Sequence, residues 1–558
     1  MPQSFLWIIL FFMLWAALSM LPEITDPGMR KTAFRLTVFY SICNTLGFFY
    51  KTCGSVSIYW SGLNASINFF CYLIGYGCVV YCFILFLLRQ LPMTAANPSS
   101  RLCSNTGTLF VLVTVILLII WTPWFLTLNP GVTTPDSDNQ IAQVMGLIPL
   151  GNNHPVFHTL FIKLLFLVCG TAQKCVMLYS IIQLILSALS FSVCTCFIDS
   201  TFRRKIVTIA VIFWFAFYPV YPIYGMTVWK DVPFALCILL TAVNICRIIR
   251  DEGEETQKNL LLQNAVLFLV LCFLRHNGIL VFIPTAAVIL FHLKNYKKVY
   301  FTACIAAAAV YLLFQYAGVP LLNITAGRKS EGFSIPLQQI ARAVSKHQDD
   351  LTEEQNEILS QYFSGDLSKL YRATLSDRVK KNFHEEKFAE DPKPILRLWW
   401  ELGKKYPIDY IESILNNSYG FWYPEEEHAT FFFGQNSNGY LGINDAPLID
   451  SPLMQKARDY LQNMRYYSVP ILSWMFSPAI GAWILIFTWF CNRYRRNKFW
   501  IAEVPLLSLW IQMFGSPAYC EYRYVYGLFT CLPLIICCTL LPLGRDADIP
   551  ADASPYSL

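Results

Sequence analysis

Charge is what this sequence has least of: Asp, Glu, Lys and Arg make up 14% of its 558 residues, where soluble domains carry about 25%. With 55% hydrophobic residues as well, the chain is not a soluble globular protein. An all-α polytopic membrane protein is expected, since helices satisfy their own backbone groups in lipid. The net charge of +6 is spread over short clusters rather than one patch, which excludes a nucleic-acid footprint. There is no CxxC pair and no disulfide framework. Most of the 19 cysteines fall in apolar runs (Cys71, Cys78, Cys82, Cys194, Cys196, Cys537, Cys538), where a thiol acts as a small hydrophobe. Residues 4–22 are apolar but lack a basic leader and an A-x-A-like cleavage site, so they read as a retained first helix. No repeat of fixed period is visible.

What is abundant is long apolar runs. Spans of about 20 residues are predicted at 4–22, 33–50, 66–88, 108–127, 175–198, 206–221, 232–249, 259–274, 278–294, 299–318, 468–491, 499–514 and 523–542, thirteen in all. Cytoplasmic loops collect Lys and Arg. Arg30/Lys31/Arg35, Arg89/Arg101, Arg203/Arg204/Lys205, Arg247/Arg250/Lys258, Lys294/Lys297/Lys298 and Arg493/Arg495/Arg496/Lys498 share one side if the N-terminus is outside. They do so provided that 155–171, "PVFHTLFIKLLFLVCGT", lies along the outer interface as an amphipathic segment and does not cross. The predicted layout is 1–107 as extra N-terminal helices and 108–322 as the core, with a first outer loop at 128–174. A mostly helical outer block follows at 323–466, then C-terminal helices at 467–543 and a cytoplasmic tail at 544–558. In the outer block Thr352 and Gln355 have capping-box spacing, and 393–415 and 452–466 have helical apolar spacing. Asn64, Asn323 and Asn416 head outer-side glycosylation sequons.

The scarce charges gather at the outer membrane edge. "NPGVTTPDSDNQ" holds Asp136 and Asp138, with a helix expected from about Asn139, one acid facing the site and the other capping that helix. "GNNHP" supplies His154. In "YGMTVWKDVPFA", Lys230 and Asp231 sit at a helix start, where a Lys suits phosphate. "FLRHNG" places Arg275 and His276 at a turn within an apolar stretch, and "SPAYCEYRYVYG" carries Glu521 and Arg523. An ionisable residue at membrane depth is a functional candidate by default. The plainer alternatives are an interfacial anchor at Lys230/Asp231, a snorkelling Arg275, a Glu521–Arg523 pair and a capping role for both acids. A carboxylate beside cations fits transfer between a phosphate-bearing donor and a hydroxyl acceptor: the cations hold developing phosphate charge and the carboxylate takes the proton.

These motifs, with "NNHPVFHTL" and "NNSYGFWYP" between them in order over 108–542, resemble a bacterial family of polytopic membrane proteins related to the GT-C glycosyltransferase superfamily. The resemblance implies a GT-C-like helix bundle, a polyprenyl-phosphate sugar donor, Asp136 as catalytic base and the segment after Pro155 as the interfacial helix. "DSDNQ" departs from the paired acid motif of the best-known members, which leaves a metal and the donor open. Should a cation take part, Mg²⁺ or Mn²⁺ on Asp136 and Asp138 is the expected form. The resulting expectation is an inverting glycosyltransferase of the plasma membrane. Its catalytic set is Asp136, Asp138 and His154, its binding set Lys230, Asp231, Arg275, His276, Glu521 and Arg523, and its acceptor is an extracytoplasmic wall polymer, glycolipid or protein. A flippase of lipid-linked sugars, or an assembly subunit without chemistry, are the alternatives. Transporters place charge near the bilayer midplane, and these charges lie at one edge.

Overall fold

The computed structural model describes residues 26–56, 62–90, 100–250, 253–293, 295–433 and 439–541. The expected first helix, 4–22, and the expected tail after Gly544 lie outside them. The described residues form helices and isolated β-bridges, without strands. The principal helices of the bundle are α1 (Pro27–Cys53), α2 (Leu63–Gln90), α3 (Thr106–Thr127), α4 (Pro135–Val144), α5 (Val156–Cys169), α6 (Ala172–Phe202) and α7 (Lys205–Phe217). They continue with α8 (Asp231–Ile249), α9 (Glu254–Leu274), α10 (Ile279–His292), α11 (Lys297–Leu313), α12 (Pro478–Tyr494), α13 (Val504–Ile511) and α14 (Tyr526–Leu540).

Thirteen spans were expected, whereas seven helices among the described residues are long and apolar enough to cross a membrane. The difference has local causes. The run 206–221 ends as a helix at Phe217, because Pro219 cannot continue the hydrogen-bond ladder, and a short helix (Val220–Gly225) follows. The run 499–514 splits into a 3-10 turn (Lys498–Glu503) and α13, with Pro505 in the first turn. α1 is 27 residues long, but Arg35 and its Thr, Ser and Asn side chains lower its hydropathy, and it is not among the seven. In α6, α8 and the last span, Tyr522–Leu540, 67%, 72% and 78% of the apolar stretch is buried, against 22% in α2 and α3. The first three are therefore the inner helices, and the charged residues at their ends are held in fixed positions.

α5 has 14 residues, about 21 Å at 1.5 Å per residue, too short for a hydrocarbon core of about 30 Å. Its burial is one-sided: Val156, His158, Thr159, Ile162 and Leu165 face protein, while Leu164, Leu167 and Val168 are exposed. That asymmetry suits a helix lying in the interface.

Part of the block 323–466 has its own apolar core, around Leu337, Ile340, Val344, Tyr362, Leu398 and Leu402. Thr352 and Gln355 make the reciprocal capping hydrogen bonds, both 3.2 Å, that their spacing predicts. The stretch 393–415 is two helices, Lys393–Lys405 and Pro407–Asn416, because Pro407 starts the second. Glu412 fastens this unit to the end of α1, accepting from Ser55 Oγ (2.7 Å) and Val56 N (2.9 Å) and pairing with Arg342. From Tyr419 onward the chain joins the bundle core through Phe421, Trp422, Tyr423 and Phe431. Asn416 is buried, its Nδ2 donating to the carbonyls of Gly54 and Glu412 (both 2.9 Å), so its sequon is closed in the folded chain. Asn64 and Asn323 are exposed.

Candidate functional site

The two loops that carry Asp136 and Lys230 are joined by backbone. Val132 N–H donates to Met226 O (2.8 Å) and Val228 N–H donates to Val132 O (2.9 Å). This approach needs Gly131: its φ is +137°, and a Cβ there would lie 2.2 Å from Ser180 Oγ and 3.0 Å from Met226 O. Gly131→Ala is expected to destabilise the protein by about 1–3 kcal/mol. A lower melting temperature in detergent checks this, and unchanged melting would contradict it.

α4 starts earlier than the sequence suggests. Thr134 is the N-cap and Pro135 the first helical residue, and Ser137 Oγ accepts from Thr134 N (2.7 Å). The helix therefore begins before both acids, not near Asn139, and neither Asp136 nor Asp138 is its cap. Pro135, pre-set to helical φ, accounts for the shift. Asp136 and Asp138 are two positions apart, about 200° around the helix, so they do not converge as a cation-binding pair. Asp138 is 7% exposed. Among the described residues no group of three or more His, Cys, Asp or Glu has metal-ligand geometry.

Four stretches far apart in sequence meet at Asp136. Its Oδ2 is 2.9 Å from Arg523 Nη1 and 3.7 Å from Lys230 Nζ. Lys230 Nζ also donates to His154 Nδ1 (3.2 Å). Arg523 Nε lies 3.7 Å from Glu521, and Arg275 Nη1 pairs with Asp231 at 2.8 Å. The Glu521–Arg523 pair considered from sequence thus exists, but Arg523 reaches Asp136 more closely. Arg275 does not snorkel to water: it is bound to a carboxylate only 2% exposed. His276 stands beside the cluster, its Nε2 3.0 Å from the carbonyl of Asn152, two residues before His154. Gly278 closes that turn because a Cβ would meet Leu271 O at 2.4 Å.

Burial alone would push the Asp136 carboxyl up, but Arg523 and Lys230 outweigh it and hold it well below the usual carboxylate range. Burial, helped by the Lys230 ammonium, pushes His154 down to about 4, so the imidazole is neutral and accepts from Lys230. Burial also lowers Lys230, against the pull of Asp231 and Asp136.

The sequence reading missed the aromatic supports. The Arg523 guanidinium sits over Trp229 (5.3 Å) and Tyr524 (5.1 Å), and Arg275 lies over the same Tyr524 (5.1 Å) and Phe234 (5.4 Å). Rings of this kind orient a guanidinium without consuming its donors. Trp229 is itself tied to the cap of α4, donating from Nε1 to Thr134 Oγ1 (2.8 Å). The visible signal was an aromatic beside each charge, "WK" and "RY". Also missed was the network beneath α5. His158 bridges Gln140 Oε1 (3.0 Å) and the Tyr179 hydroxyl (2.8 Å). Tyr179 reaches the Trp229 carbonyl (3.3 Å).

A family model described as a family of unknown function, DUF6020, matches residues 146–547. The chain belongs to the DUF6020 family. No curated protein and no solved structure matches it. The DUF6020 match takes in His154, Lys230, Asp231, Arg275, His276, Glu521 and Arg523, and begins ten residues after Asp136. The cations of the cluster thus lie within the family's shared region, and the carboxylate they hold is contributed from just before it.

Proposed function

We propose that this protein is a GT-C-like membrane glycosyltransferase that moves a sugar from a polyprenyl-phosphate donor to an acceptor on the extracytoplasmic face of the plasma membrane. The observation that carries the reading is one carboxylate oxygen of the partly exposed Asp136, Oδ2, facing two cations from distant stretches of the chain, Lys230 and Arg523. The acceptor hydroxyl oxygen bonds to the anomeric carbon as the carbon–oxygen bond to phosphate breaks. Asp136 takes the hydroxyl proton, and the lipid phosphate leaves. During transfer the phosphate goes from one negative charge to two while Asp136 goes from one to none, so the charge facing Lys230 and Arg523 stays constant. Fixed cations aimed at developing charge are an efficient source of rate.

The geometry redistributes the roles expected from sequence. Arg523 joins Lys230 on the phosphate, while Arg275 and Asp231 brace the helix start beneath Lys230. His154 orients the Lys230 ammonium. Sidedness is supported by α8, which carries Lys230 at its start and Arg247 and Arg250 at its far end; the basic end is the cytoplasmic one. The outer unit around Leu337 and Leu398 would then sit where an acceptor arrives.

Membranes containing the protein, incubated with a panel of polyprenyl-phosphate sugars, are expected to consume at least one of them by mass analysis. Consumption of none would remove the reading. Since His154 is neutral above about pH 4, the rate is expected to show no histidine step between about pH 5 and 8. A step in that range that vanishes in His154→Gln would contradict the orienting role.

A further inference from the structure

We propose that Lys230 and Arg523 form an anion site that the Asp136 carboxylate fills in the resting protein, so that a phosphate ester binds by displacing Asp136, which takes up a proton as it does. This deepens the reading above and rests on it only for assigning Lys230 and Arg523 to phosphate.

The argument is one of charge and access. The ion pairs link three cations, Lys230, Arg275 and Arg523, with three carboxylates, Asp136, Asp231 and Glu521. The set is neutral, and His154 adds no charge. An arriving phosphate diester brings one negative charge, so the set is balanced again only if a carboxylate is neutralised. Asp231 is closed off at 2% exposure against Arg275, and Glu521, 18% exposed, touches Arg523 at 3.7 Å. Asp136 is the most open, at 30%, and a single oxygen carries both its cations. An ester oxygen that takes those two cations leaves Asp136 beside a second negative charge in a partly dry site, which favours its neutral form.

The groups facing Asp136 come from every neighbouring element. Arg523, Tyr524 and Glu521 come from the start of the last span, and Lys230 and Asp231 from the start of α8. Arg275 comes from the end of α9 and His154 from the loop before α5; Asp138, on α4 itself, lies about 200° round the helix from Asp136. Of these, Arg523 and Lys230 do most to lower the Asp136 carboxyl, and they are the ones the ester engages. In the complex with the ester alone the bound proton comes from water; before transfer Asp136 returns it to water, and the ionised carboxylate then takes the acceptor hydroxyl's proton. Because binding takes up a proton, affinity weakens as pH rises, by up to about tenfold per unit.

The test is isothermal titration of the full-length protein in neutral detergent, near pH 6, in two buffers of different ionisation heat. The probe is dodecyl methyl phosphate, a diester that stays monoanionic. The expected result is uptake approaching one proton per diester bound. Asp136→Asn should take up none and bind about tenfold more tightly, after its melting confirms folding. Sodium sulfate is the second arm: binding with the same uptake makes the site one for free anions, and binding of the diester alone makes it one for a lipid headgroup. Wild-type binding without proton uptake, or no binding of either probe, overturns the proposal even if sugar transfer is found. Proton-linked binding without any transfer upholds it and leaves the glycosyltransferase reading to fail alone.

Discussion

Asp136→Asn is expected to lower the proposed lipid-phosphate-dependent sugar transfer by about 10²- to 10⁴-fold, the range for loss of a positioned general base. The amide keeps the shape of the side chain and an oxygen for Arg523, so the fold and the helix cap at Thr134 remain. What it loses is the ability to take the acceptor's proton. Asp138→Asn makes a useful contrast: Asp138 is 7% exposed and sits about 200° round α4 from Asp136, so the rate per folded molecule is expected to change by less than about tenfold. Rates measured on protein normalised by its melting transition check both variants. Equal activity in Asp136→Asn and wild type would take Asp136 out of the chemistry.

The second large effect falls on stability. Asp231 is 2% exposed and its partner Arg275 is 13% exposed, at 2.8 Å. Asp231→Ala strands the guanidinium among Phe234 and Tyr524, and removing one member of a buried pair costs about 3–5 kcal/mol. Arg275→Ala should cost a similar amount. The double variant should recover much of it, since no unpaired charge remains. Asp136→Asn, at a more open carboxylate, should cost less than either. Melting temperatures of the wild type and these four variants in one detergent decide the matter; additive losses in the double variant would show that Asp231 and Arg275 are not a coupled pair.

These contrasts bear on what was legible in the sequence. Helicity and membrane residence follow from charge poverty and apolar runs, which act locally and survive folding. The amphipathic character of α5 is equally local: a lysine and a histidine in a run of 14 residues. The number of spans was less legible, because prolines at 219 and 505 cut runs that composition alone joins. Asp136, Lys230 and Arg523 stood out because charge is rare near membrane-embedded segments. Who pairs with whom did not. Arg275 and Lys230 look alike in sequence, but only the three-dimensional crossing of α8, α9 and the last span gives Asp231 to the first and Asp136 to the second. The early start of α4 is written in Thr134 and Pro135, a capping residue followed by one pre-set to helical φ, and not in the acids after them. The buried His158, Gln140 and Tyr179 network was hidden because each residue alone reads as a polar exception in a helix.

The central claim is that this cluster breaks a sugar–phosphate bond and does not merely hold or move a lipid. The most direct measurement uses purified protein in vesicles with a polyprenyl-phosphate sugar labelled in both sugar and lipid. The account predicts release of unsugared lipid phosphate by the wild-type protein, with the sugar label appearing on an added acceptor, and neither event with Asp136→Asn. Movement of the doubly labelled lipid between leaflets with its sugar still attached would contradict it.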